Sequence, residues 1–301
     1  MALCAVFVSH GNIMTDFILS AFADEGGKTI EEQIAAMKAN DITHIEPRGI
    51  NGVNISDFTA DMAKELKKTL NENGVGISAI GSPFGKIQIT DDFAPHFDKF
   101  KRGVENALIL GAERIRIFSF YMPVDEDYAP YRDEVMERLT RMCDYSRESG
   151  VWCCHENEKG IYGDTDDRCL DILTSLEGKI KGVFDPANFV QCSVQILPAY
   201  EKLGKYIDYL HIKDALYADG SIVPPGKGEG CIAELLKKFA AEKKGDKILT
   251  LEPHLKVFDG LKDLEQAGGT EHKLKNVYTY KTNLEAFSAA ASALKDIIAS
   301  I

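Results

Sequence analysis

The chain has 301 residues, 45% of them hydrophobic and 27% charged, which supplies a sizeable core and excludes a disordered polymer. A formal charge of -12 opposes the basic footprint that neutralises phosphates, so a nucleic-acid partner is excluded, and an anionic membrane would repel the chain. A small neutral or metal-chelated molecule is the easier partner.

Seven cysteines occur with no C-x-x-C pair, so a zinc ribbon or a thioredoxin-type site has no support. Buried free thiols in a reducing cytosol are the expectation. The apolar start, residues 2–8, has no basic flank and is too short for a signal or a span, so a cytoplasmic protein is the expectation.

From residue 17 onward, apolar runs of strand length alternate with amphipathic stretches of helix length. The first strand, 17–23, leads into Asp24-Glu25-Gly26-Gly27, which is not the glycine fingerprint of a dinucleotide fold. Thr29 and Glu32 form a capping-box pattern that starts the first helix. The second strand is 42–46, and Phe58, Met62, Leu66 and Leu70 line one helical face that stops before Gly74. Strand three, 76–81, is followed by Phe93, Phe97, Phe100 and Val104 at helical spacing, with Gly111 beyond them. Strand four, 114–118, precedes the face of Val135, Leu139 and Met142, which ends near Gly150. Strands five to eight are 151–156, 180–185, 206–211 and 248–252, with Ile232, Leu235, Leu236 and Phe239 forming the helix before the last. Residues 255–281 are polar and irregular, and a closing helix spans 284–298. Eight strand–helix units without a linker specify an α/β chain folded as one (β/α)8 TIM-barrel domain over residues 1–301.

In a parallel barrel every strand ends on the same rim, where barrel enzymes keep their chemistry. The last four strands end in Glu156, Asp185, His211 and Glu252. Singly, a strand-end histidine is usually a structural residue and an Asp-Pro pair usually a turn; four in consecutive units on one rim carry the argument. Three carboxylates and an imidazole cannot share a pocket as bare charges, and one divalent cation resolves the repulsion. Oxygen-rich donors with a single nitrogen favour Mn²⁺ or Mg²⁺, with Co²⁺ and Zn²⁺ as alternatives. Asp214 is placed to orient a ligand from behind.

The opposite half of the rim supplies Glu46, Arg48, Lys86 and Arg116, all candidate substrate contacts. Alternation turns Arg116 into the barrel, whereas Arg114 reads as an ordinary salt-bridge former. Lys86 follows Gly85 in a loop with no phosphate-binding glycine cluster. Glu158 and His254 share the strand parity of Glu156 and Glu252 and join the substrate-contact set with Asn188 and Lys213. Lys213 either donates to a substrate oxygen or pairs with Asp214 or another rim acid.

The segments His44-Ile45-Glu46-Pro47-Arg48, Ile80-Gly81-Ser82-Pro83-Phe84-Gly85-Lys86, Asp185-Pro186-Ala187-Asn188, His211-Ile212-Lys213-Asp214, Pro224-Pro225-Gly226-Lys227-Gly228 and Glu252-Pro253-His254 carry a resemblance. With them the chain resembles the sugar phosphate isomerase/epimerase superfamily, the xylose-isomerase-like barrels, over nearly its whole length. The resemblance implies one Mn²⁺, Mg²⁺ or Co²⁺ held by Glu156, Asp185, His211 and Glu252, a small carbohydrate substrate and a barrel that commonly pairs into a homo-oligomer. It also implies proton transfer through a metal-stabilised enediolate, with Glu156 and Glu252 as the acid and base on opposite faces of the substrate carbon. Ketohexose 3-epimerases of the superfamily carry His where this chain has Asn188 and Arg where it has Tyr217, which speaks against a ketohexose epimerase, and the His211-Ile212-Lys213-Asp214 segment is closer to inosose-handling and uncharacterised members. Some relatives instead perform β-elimination on 3-keto-glycosides.

Overall fold

A computed structural model describes residues 17–258 and 278–301. The readings of residues 2–8, of Cys4 and of 259–277 fall outside the described residues. Eight parallel strands form the barrel: β1 (Phe17–Ala21), β2 (His44–Ile45), β3 (Gly76–Ile77), β4 (Arg114–Ile117), β5 (Trp152–Glu156), β6 (Ile180–Phe184), β7 (Ile207–Ile212) and β8 (Lys247–Leu251). Around the sheet their order is β3-β2-β1-β8-β7-β6-β5-β4. The outer two meet through Ile80, whose N–H donates to Arg114 O and whose carbonyl accepts from Arg116 N–H, each at 2.9 Å, so the sheet closes.

Nine helices among the described residues pack outside: α1 (Ile30–Ala39), α2 (Ala60–Asn73), α3 (Phe93–Leu110), α4 (Arg132–Glu148), α5 (Asp166–Ser175), α6 (Pro186–Gln191), α7 (Ile196–Leu203), α8 (Ile232–Glu242) and α9 (Asn283–Ser300). Their starts are written locally. Thr29, Thr59, Asp92, Thr165, Asp185 and Thr282 each accept a first-turn N–H, and Thr29 with Glu32 completes the capping box. Gly74 and Gly111 follow α2 and α3 in the left-handed conformation, at φ 68° and 75°. The apolar stripe of α8 is wholly buried against the barrel.

Period-two alternation divides the strands between two cores. Ala79, Cys154, Val183, Tyr209 and Ile248 point inward and fill the barrel. Cys153, Leu210, Ile212, Leu249 and Leu251 point outward into the shell between strands and helices. The inward positions two residues further along β5, β6 and β7 are Glu156, Asp185 and His211; Glu252 shares the parity of Ile248 on β8. The chemistry therefore stands directly on an apolar plug. All six described cysteines are free thiols, with Cys153 and Cys154 on opposite faces as alternation requires.

Three strands are markedly shorter than their apolar runs suggested, β2 being only His44 and Ile45. β1 stops at Ala21, and Ala23–Glu25 forms a 3₁₀ turn that carries Glu25 into a buried position. β3 is regular only at Gly76 and Ile77, where it pairs with β2; beyond them Ile80 bonds β4 while the Gly81 N–H turns back to Pro47 O beside β2. Among the described residues no helix is long and apolar enough to cross a membrane.

Candidate metal centre

β5 ends in Glu156, α6 is capped by Asp185, β7 carries His211, and Glu252 follows β8. One ligand atom from each of the four lies within 4.8 Å of the others, and all four side chains are buried. Two donors across one ion are separated by about twice a metal–oxygen bond, roughly 4–5 Å, so the spacing fits a single divalent cation. Glu156 Oε2 and Asp185 Oδ2 are buried without a well-aligned hydrogen bond, which leaves lone pairs for such an ion. Cations stand close to both: Arg116 Nη1 lies 3.2 Å from Glu156 Oε2, and Lys213 Nζ lies 3.0 Å from Asp185 Oδ2.

Local structure holds each ligand. Asp185 Oδ1 accepts the Asn188 N–H at 2.9 Å, and Pro186 opens the helix without a wasted donor. Asn157 staples the ends of β5 and β6 together: its side chain accepts the Asp185 N–H and donates to Asp185 O, both at 2.9 Å. Asn188 Nδ2 donates to Asn157 O at 2.9 Å and to Glu156 Oε1 at 3.3 Å. His211 Nδ1 faces the cluster, 2.9 Å from Glu156 Oε1 and 3.6 Å from Glu252 Oε2.

Charge is balanced inside the site. Burial lowers the His211 imidazolium's pKa, but the Glu156 and Glu46 carboxylates outweigh it and raise it to about 10. Burial raises Asp185, and despite Lys213 the neighbouring Glu252 and Glu156 leave it at about 7. Burial also acts to raise Glu252, yet Lys213, His254 and His211 hold it well below the usual carboxylate range. Protons and the Lys213 ammonium offset the same carboxylate charge that a divalent cation would offset.

The other candidates separate by position. Lys86, Arg116, Glu158, Lys213 and His254 line a chamber of about 10 Å³ with Glu156 and Glu252, room for about one water or ion. Lys86 pairs with Glu158 at 2.9 Å and sits 4.4 Å above the Phe118 ring. Arg48 reaches Glu252 Oε1 at 2.9 Å and lines a second, much larger cavity of about 990 Å³, which shares Lys86 with the chamber. The larger space is lined by none of the four candidate ligands, the smaller by two of them, Glu156 and Glu252. Glu46 and Asn188 line neither: Asn188 braces Glu156, and Glu46 lies behind His211. Arg114 pairs with Asp208, as a structural residue.

Of the alternatives open for Lys213, the structure takes the pair with other rim acids, Asp185 and Glu252 (3.2 Å), and not the one with Asp214, because the strand parity that turns Lys213 inward turns its neighbour away. One expectation is corrected. Asp214 touches no ligand; its carboxylate accepts the N–H groups of Gly226, Gly228 and Gly230 at 2.8–2.9 Å and fastens that loop. Tyr217 likewise turns away, donating to Val194 O.

Sequence reasoning missed Phe22, Asp24, Glu25 and Asn157. Arg48 binds Asp24 and Glu25 as well as Glu252, and the Phe22 ring lies under Arg48 (4.3 Å) and Arg116 (4.8 Å) and edge-on to His211. Burial, against the pull of Arg48, raises Glu25 to about 8. Part of the signal was available: Phe22 and Asp24 stand just past the first strand and Asn157 just past the fifth, where the rule applied to the last four strand ends also points, whereas Glu25 is buried by the 3₁₀ turn that follows β1.

A family described as xylose isomerase-like TIM barrel matches residues 34–275. No curated protein matches the chain in sequence. Among solved structures, the IOLI protein with a bound zinc atom superposes with a TM-score of 0.70 at 15% identity, over 94% of this chain and 99% of that one. A D-psicose 3-epimerase with D-tagatose from Clostridium cellulolyticum H10 gives 0.69 at 14%, over 94% and 99%. A xylose isomerase-like TIM barrel protein from Mycobacterium smegmatis in complex with magnesium gives 0.67 at 15%, over 96% and 98%. At such identities the likeness is one of fold.

Proposed function

Because the chain belongs to the xylose isomerase-like TIM barrel family, we propose that it is a divalent-metal-dependent isomerase or epimerase of a sugar, keto-sugar or cyclitol. The observation that carries this reading is the convergence of Glu156, Asp185, His211 and Glu252 within 4.8 Å, with two buried carboxylate oxygens left for a ligand. Three oxygens and one nitrogen favour Mn²⁺, with Mg²⁺, Co²⁺ and Zn²⁺ able to take the same donors. Bound there, the ion would supply Lewis-acid polarisation of a substrate carbonyl and its neighbouring hydroxyl.

The chain's own residues do the rest. Glu252, held ionised by Lys213 and His254, is placed to take a proton from the carbon beside the carbonyl, and Glu156 to return one from the other side. Each positioned carboxylate contributes roughly 10²- to 10⁴-fold. Lys213 and Arg116, on the chamber wall, would offset negative charge as it develops on the substrate oxygens. Lys86, Glu158 and His254, on the chamber wall, bind substrate hydroxyls. The six free thiols and the acidic surface suit a cytoplasmic enzyme with a small carbohydrate substrate, working as a homo-oligomer.

The test is solvent-deuterium exchange. Purified protein is expected to carry close to one divalent ion and to exchange a substrate C–H in D₂O across a panel of keto-sugars and inososes. Glu156→Gln and Glu252→Gln are expected to abolish that exchange; exchange surviving in both variants rules out the two-carboxylate role.

The cavity of about 990 Å³ favours a second reading, since it is at the upper end of what a drug-sized ligand fills and adjoins the chamber at Lys86. With a 3-keto-glycoside, removal of the same proton followed by departure of the aglycone gives an unsaturated keto-sugar, with the aglycone housed in that cavity. Product analysis separates the two: an epimer or isomer against an alkene and a free aglycone.

A further inference from the structure

His211 has two ring nitrogens with different neighbours. Nδ1 faces Glu156 and Glu252, the side where an ion would sit. Nε2 faces the barrel interior, 3.3 Å from Glu46 Oε2. Glu46 is fully buried, lines neither cavity, and cannot reach a substrate from where it lies. It is itself held: Tyr209, two residues before His211 on β7, donates its hydroxyl to Glu46 Oε1 at 3.0 Å, and the Glu46 N–H donates to Ala21 O at 3.0 Å. The Phe22 ring packs edge-on against the imidazole, 5.1 Å between centroids, and fixes its plane. A buried carboxylate aimed at the far nitrogen of a ligand histidine has one clear chemical use. It holds the proton on that nitrogen and leaves the near one with a lone pair.

We propose that Glu46 is a positioning residue for the metal centre, accepting a hydrogen bond from His211 Nε2–H, so that Nδ1 is presented to the cation as a preoriented, more basic ligand. This rests on the metal-dependent reading above. It assigns a buried carboxylate on the opposite side of the barrel, 165 residues away in sequence, to ligand quality rather than to substrate contact.

The experiment uses the full chain stripped of metal and titrated with Mn²⁺, Mg²⁺ or Zn²⁺ by calorimetry, for wild type, Glu46→Gln and Glu46→Leu. Loss of such a partner costs 10- to 100-fold in metal affinity. Glu46→Gln, nearly isosteric and still an acceptor, is expected near the lower figure and Glu46→Leu near the upper. Equal affinity for wild type and Glu46→Gln overturns the proposal, and so does equal affinity in Glu46→Leu. Nitrogen-15 spectra of histidine-labelled wild-type protein loaded with Zn²⁺ supply a readout that a merely structural glutamate would not set. The His211 resonances, identified by their absence in His211→Gln, are expected to place the proton on Nε2 and the metal on Nδ1. The reverse assignment overturns the proposal without recourse to any Glu46 variant. Wild-type protein that binds none of the three ions overturns the metal reading as well, an outcome distinct from tight binding that ignores Glu46.

Discussion

Metal binding to this cluster must release protons, and the number can be worked from the site. In the metal-free state the pKa of His211 is raised to about 10 and that of Asp185 to about 7. A ligand must be deprotonated at the coordinating atom, so each bound proton competes with the ion. At pH 7.5 His211 is almost fully protonated, which gives about one proton released per ion bound, with a further fraction from Asp185. The sign follows directly: affinity rises with pH, about tenfold per unit between pH 7 and 10 as His211 loses its proton, and more steeply below 7 where Asp185 joins it. Calorimetric titration with Mn²⁺ in buffers of different ionisation enthalpy reads the count as a slope. A slope near zero at pH 7.5, or an affinity flat from pH 7 to 9, refutes the placement of His211 among the ligands.

Lys213→Met removes the ammonium that lies 3.0 Å from Asp185 and 3.2 Å from Glu252, leaving buried carboxylates uncompensated. The metal-free variant is expected to lose about 3–5 kcal/mol, and Mn²⁺ to raise its Tm by more than it raises that of wild type; equal shifts in thermal melts contradict this. Asp214→Ala unpairs the Gly226, Gly228 and Gly230 N–H groups, of which the last is buried, and is expected to cost about 1–3 kcal/mol in urea unfolding. Its Mn²⁺ affinity should stay at the wild-type value, and a large drop would restore Asp214 to the metal site. Lys86→Met breaks an ion pair both of whose partners line the chamber and is expected to lower kcat/KM about tenfold. Unchanged kcat/KM takes Lys86 and Glu158 out of the substrate's path.

Much of this site was legible because its signals are local. The strand-end residues Glu156, Asp185, His211 and Glu252 follow from counting alternating positions on apolar runs, and parallel topology carries all four to one rim. Helix starts at Thr29 and stops at Gly74 and Gly111 were equally local, being set by hydrogen bonds within one turn. Glu25 was not legible as a buried group, since its placement depends on β1 stopping at Ala21 and on a 3₁₀ turn that apolar run length does not encode. Which rim acid pairs with Lys213 was left open for a related reason: adjacency in sequence puts Asp214 on the other side of the strand, and only the closed barrel brings Asp185 and Glu252 to the ammonium.

By itself, then, the sequence determined the alternation of strands and helices, the parity of each strand and therefore which four side chains, the candidate ligands, a barrel must gather. Tertiary structure alone decided how those groups are paired: that Arg48 meets Glu252 across 204 residues, that Glu46 stands behind His211 rather than before the substrate, and that Lys213 sits among the ligands. The division is physical. Periodicity is a property of neighbouring residues, whereas ion pairing in a buried site is settled by which side chains the closing barrel forces into one low-dielectric volume.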